Sequence, residues 1–187
     1  MTSTEGSRAA PACWASPPAL RSQQLKSIYA LAVDDTGKLI AAAGPPDNPT
    51  IEIWDAAAGK LRQTLAGGSS AITSLAFQPH GQLLAATDLA GQLRLWTAED
   101  GKLAKTIAAT RQQQWFATAA FSPDGAMLVT GSPDGQVVFW NAQTGEQAAA
   151  LPTLDVGVFS AAFSPDGRML ALGLADQSVR VFGLGSP

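Results

Sequence analysis

His80 is the only histidine of the chain, and the adjacent carboxylates Asp34-Asp35 and Glu99-Asp100 are its only neighbouring acid pairs. An imidazole titrates near neutral pH and could act as a general base or a metal ligand. A pair of carboxylates could divide acid and base roles. Each needs partners. One histidine and one cysteine, Cys13, cannot supply the usual triads or zinc sites. No glycine-rich phosphate loop, GxGxxG, HExxH, GxSxG or EF-hand pattern occurs. The chain is therefore expected to be no enzyme and to hold neither metal nor cofactor.

The elements that position these residues repeat along the chain. ITSLAFQPHGQLL starts at Ile72, FATAAFSPDGAML at Phe116 and VFSAAFSPDGRML at Val158, with a weaker copy, IYALAVDDTGKLI, at Ile28. Their turn glycines, Gly37, Gly81, Gly125 and Gly167, are spaced by 44, 44 and 42 residues. A second marker, Trp54, Trp96, Trp140 and Phe182, is spaced by 42, 44 and 42. Two markers with one period indicate tandem structural units.

Each unit reads as four strands. The first apolar run ends in a Pro-Asp-Gly type turn, where proline presets φ and glycine supplies a positive φ; this gives strands a and b. TIEIW, QLRLW, QVVFW and SVRVF alternate with period 2 and form strand c. A further glycine turn leads to a more polar strand d, such as KLRQTL. The repeats span approximately 28–67, 72–109, 116–153 and 158–187 within a domain from 20 to 187, after a Pro/Ala/Ser-rich leader, 1–19, expected to be flexible. In this frame His80 falls in the a–b turn of the second unit, where a turn role accounts for it. The acid pairs also fall in turns, where aspartates cap backbone N–H groups.

The AFSPDG runs, the strand-c tryptophans (with Trp54-Asp55 as the Trp-Asp pair itself) and an aspartate six residues before the tryptophan position, Asp134 and Asp176, resemble the WD40 repeat family. The resemblance implies an all-β, WD40-type β-propeller of four four-stranded antiparallel blades. Asn48 and Ala90 replace the aspartate in the first two copies, and Gly68 stands where the family's histidine would be in the second. The buried Asp-His-Ser-Trp network is thus incomplete, and the blades should lean on apolar packing.

Four blades are few for this family, and the last copy ends after strand c. Four architectures follow: a closed small ring, half of a two-chain eight-bladed ring, an open partial propeller with exposed strand edges, or a fragment of a longer chain. The outer strand of the last blade should come from residues 14–20 or 20–26; Pro17 and Pro18 would restrict the former to an edge.

By the same resemblance, partners bind the rim formed by the d–a and b–c loops. The residue after the first apolar position of strand a points there: Tyr29, Thr73, Ala117 and Phe159. Arg111 and Trp115, in the long loop ATRQQQW, extend this face, although Trp115 could instead cap the third blade. A protein or peptide interaction scaffold is the expected function; a small ligand or simple chemistry at the channel mouth is the alternative. Net charge is −3 and the basic residues are scattered, so no nucleic-acid footprint is present. No basic-apolar signal peptide begins the sequence and no run approaches the ~18–20 apolar residues of a spanning helix, so no membrane association and a cytoplasmic location are expected.

Overall fold

In the computed structural model, residues 20–45, 47–66, 68, 70–108 and 115–185 are described. Strands alternate with tight turns and no helix forms among these residues. The first sheet comprises β1 (Ala30–Val33), β2 (Leu39–Ala43), β3 (Thr50–Asp55) and β4 (Lys60–Ala66). The second comprises β5 (Ile72–Phe77), β6 (Leu83–Asp88), β7 (Gln92–Thr97) and β8 (Leu103–Ala108). The third comprises β9 (Thr118–Phe121), β10 (Met127–Gly131), β11 (Val137–Asn141) and β12 (Gln147–Ala150). The fourth holds β13 (Val158–Phe163), β14 (Met169–Leu174) and β15 (Val179–Gly183), three strands among the described residues. All pairings are antiparallel between sequence neighbours, the meander of a propeller blade.

Alternation along the strands gives each blade two apolar faces, so blades stack face to face. Ala41, Ala43, Ile51 and Ile53 of blade one meet Ile72, Leu75, Leu84 and Trp96 of blade two. Ala85, Leu93 and Leu95 of blade two then meet Phe116, Phe121, Leu128 and Trp140. Val129, Val137 and Phe139 of blade three meet Val158, Leu170 and Leu172. The first strands β1, β5, β9 and β13 pack successively along the inside.

Among the described residues the arc does not close: β1 packs on β5 and β13 on β9, but the two ends of the series do not join into a ring. This corrects the closed four-bladed alternative. The broad blade faces lie against one another along three junctions, one between each pair of successive blades.

Residues 20–26, one of the two candidates for the closing strand, lie on blade one instead. The Ser22 hydroxyl donates to Glu52 at 2.8 Å, and Leu25 is buried over Gly44, where a Cβ would come within 2.7 Å of Leu25 Cδ2. The Asn48 amide donates to the Gln24 carbonyl. This segment caps the outward face of Trp54 and pairs with no strand. The other candidate, 14–20, lies outside the described residues except for Leu20.

One turn differs from expectation. Gly37, Gly125 and Gly167 take φ of 69, 69 and 70°, as a glycine turn requires. In blade two the left-handed residue is His80, at φ 54°, and Gly81 is not left-handed. Gln78 stands where the other turns have Asp34, Ser122 and Ser164. Its long side chain reaches round to accept from the Gln82 and Leu83 N–H groups, and the left-handed residue moves by one position while the Gly81 N–H still meets the Gln78 carbonyl, as in the other turns.

Candidate functional site

The polar residues that could do chemistry are bound into turns. The His80 backbone N–H donates to Asp35 Oδ2 at 2.9 Å, and its Nδ1 lies 2.9 Å from the same carboxylate. His80 thus ties the a–b turn of blade two to that of blade one. Asp34, the other member of the pair, accepts from the Leu39 N–H and the Thr36 hydroxyl. Asp124 accepts from the Ser122 hydroxyl and the Ala126 N–H, and Asp166 from the Ser164 hydroxyl and the Arg168 N–H. These bonds, led by the serine hydroxyl, hold both carboxyls below the usual aspartate value. In the Glu99-Asp100 turn, Asp100 meets Lys102 at 2.7 Å and Thr97, whose bonds depress its pKa strongly. Among the described residues no group of three or more His, Cys, Asp or Glu could hold a metal ion.

The tryptophan networks are rebuilt rather than merely lost. In blade three Trp140 Nε1 donates to the buried Thr130 hydroxyl at 2.8 Å. Asp134, at the family's aspartate position, accepts from Ser132 at 2.5 Å within the b–c turn. Asp176 accepts similarly from the Ser178 hydroxyl and N–H. In blade one Trp54 Nε1 donates to buried Glu52 at 3.1 Å. Blade four replaces both partners at once, with Phe182 for the tryptophan and Leu172 for the threonine, so no polar group is left to satisfy.

Blade two holds a feature that the sequence reading missed. Asp88, fully buried, accepts from the Ala90 and Gln92 N–H groups, and Arg94 Nη1 meets its other oxygen at 2.6 Å. Gly68 gives the guanidinium room: a Cβ there would lie 2.2 Å from Arg94 Nη1. The available signal was Gly68 and Ala90 failing together within one repeat, with an aspartate two residues before Ala90.

At the opposite end of the inner strands from His80, the rim residues converge. Tyr29, Thr73, Ala117 and Phe159, one from each blade, line a cavity of about 340 Å³ together with Leu89 and Trp115. Tyr29 and Phe159 are 66% and 50% exposed. Trp115 is half-buried in the cavity wall. Thr73 has a structural task as well: its hydroxyl lies 2.6 Å from the Phe116 carbonyl, to which it donates across the blade junction, and 2.9 Å from the Thr87 hydroxyl. Arg111, expected on this face, lies outside the described residues.

A larger groove, about 760 Å³, runs between blades three and four beside Phe139, Leu151, Phe163 and Leu184. At the two preceding junctions the c–d turn of the following blade packs there: Gln63 donates to the Ala98 carbonyl, and Lys105 to the Thr144 carbonyl. No c–d turn of blade four is among the described residues.

Comparison with known proteins agrees with this architecture. Protein tipD of Dictyostelium discoideum is 31% identical over 80 residues, covering 43% of this chain and 13% of that protein. A periodic tryptophan protein 2 homolog of Neurospora crassa is 37% identical over 71 residues, covering 38% and 8%. The matched part thus spans about a tenth of the length of these curated relatives. The crystal structure of the computationally designed Ika4 protein superposes with a TM-score of 0.73 over 89% of this chain and 96% of that one, at 23% identity, a likeness of fold alone. The family model described as WD domain, G-beta repeat matches residues 59–97, 102–141 and 151–183. Each match ends with strand c, and the first two begin at the outer strand of the preceding blade, so the sequence repeat is offset by one strand from the sheet it helps to build. With more than half of its residues matched in three repeats, the chain belongs to the WD40 repeat family.

Proposed function

We propose that this chain is a protein-interaction scaffold that binds a peptide segment of its partner in the rim cavity lined by Tyr29, Thr73, Trp115 and Phe159. The observation that carries this reading is the pair of half- to two-thirds-exposed aromatics in a cavity to which all four blades contribute. Large aromatics held on rigid strands lose little entropy on binding and are frequent interface anchors. A cavity of this size accepts a side chain or two of a partner rather than a whole domain. With the Thr73 hydroxyl committed to Phe116, the polar contribution to recognition falls to backbone groups, the Trp115 indole N–H and the Tyr29 hydroxyl. The cytoplasmic location belongs to this same proposal.

Panning a random peptide display library on the immobilised chain tests the site. Selected peptides should bind the Tyr29→Ala, Phe159→Ala double variant at least ~10-fold more weakly, about the 1.4 kcal/mol of one modest anchor, while its Tm stays unchanged. Equal binding to both proteins would place recognition elsewhere.

A further inference from the structure

The three junctions inside the chain use the same repeat positions. On the face turned to the following blade, strand c contributes Ile51 and Ile53, Leu93 and Leu95, and Val137 and Phe139, all buried. On the face turned to the preceding blade, strand a contributes Ile72 and Leu75, Phe116 and Ala119, with Val158 leading blade four, again buried.

At the two ends of the arc the equivalent residues are uncovered. Blade four presents Val179 and Val181, 69% and 59% exposed, with Met169 beside them. Blade one presents Leu31 and Val33, 61% and 55% exposed, below Ile28. The two ends therefore carry the residue types of the two halves of one junction, and their end strands do not pack together within the chain. An exposed apolar patch of this kind on a sheet face marks a docking surface. The repeat positions are those that the three internal junctions use, except that on blade one residues 20–26 already cover Glu52 and Trp54 beside Leu31.

We infer that the occupant of each end face is a second copy of this chain: blade four of one copy packs on blade one of the other, twice, to close an eight-bladed ring. The contact is head-to-tail, and such contacts either close or propagate. Four blades per copy with a two-fold axis close after two copies. This inference does not depend on the peptide-binding reading, because chain mass is measured without any partner. It does alter the rim, since Phe159 of one copy would then neighbour Tyr29 of the other.

Size-exclusion chromatography with light scattering on the whole chain tests it. A single species at twice the 19.2 kDa chain mass is expected. Val181→Asp and Leu31→Asp, each at an exposed position, should separately halve that mass with far-ultraviolet circular dichroism unchanged. Mixing the two variants should restore the doubled mass in part, because one of the two junctions then has native residues on both sides. A wild-type monomer at 19.2 kDa, or a broad distribution of higher masses, overturns the two-copy ring. So does a doubled mass that survives both substitutions.

Discussion

Blades three and four carry nearly the same inner-strand sequence, TAAFSPDG and SAAFSPDG, yet their surroundings differ. Blade three is covered on both faces, has four strands, and joins Trp140 to Thr130 by a buried hydrogen bond. Blade four is covered on one face, has three described strands, and fills the same interior positions with Phe182 and Leu172. The apolar alternation of strand c persists in both. In blade three it is core, and in blade four it is surface. The difference teaches that the repeat specifies a junction face whether or not a neighbour is there to meet it.

The sharpest break of this comparison is a pair of truncations at one repeat position. Phe139→Ala should destabilise the chain by ~3–5 kcal/mol, the usual cost of emptying a buried aromatic site. Val181→Ala, its equivalent on blade four, should stay within ~0.5 kcal/mol in the isolated chain, as surface changes do. Urea denaturation of dilute protein measures both; similar losses would mean that the outer face of blade four is covered in the monomer.

A smaller loss is expected from importing the interior of blade four into blade three. Trp140→Phe leaves the Thr130 hydroxyl buried without its donor and should cost ~1–3 kcal/mol. Adding Thr130→Leu completes the pair found in blade four and should recover most of that loss, read as a favourable coupling in a double-mutant cycle. Strict additivity would show that the two positions do not act as a unit.

The smallest effect concerns what blades three and four share. Asp124 and Asp166 have carboxyls held below their ordinary 3.8, first by the serine hydroxyl and then by a backbone N–H. A depressed folded-state pKa contributes stability that is complete above the unfolded value and is lost as pH falls through the folded one. Tm should therefore be insensitive to these turns from pH 7 to about 5 and decline below about 4. In Asp124→Asn or Asp166→Asn that acid decline should be shallower, by similar amounts, because both aspartates are exposed although Ser122 of blade three is buried. A much larger change in blade three would show that burial of the blade reaches its turn.

The strands and their grouping could be read from the sequence because two independent markers kept one period and each strand alternated with period 2. The rim set could be read for the same reason: once Ile72, Phe116 and Val158 are aligned, the next residue of each must point to the same end of the inner strand. Asp88 and Arg94 could not be read this way. Their ion pair is peculiar to one blade, and it depends on the space above Gly68, which no repeat pattern encodes. The shift of the left-handed residue from Gly81 to His80 was hidden likewise, since it follows from the reach of one glutamine side chain.

The sequence by itself determined the four apolar units, their strand order within each sheet, and which side chains face a neighbouring blade. These follow from local periodicity and turn chemistry, which act over a few residues. Only the tertiary structure decided that the arc stays open and that residues 20–26 cap Trp54 instead of completing blade four. It alone decided which copies of the same alternating pattern are buried. Those outcomes depend on the angle at which whole sheets stack and on what lies beyond each face, and packing between distant segments sets both.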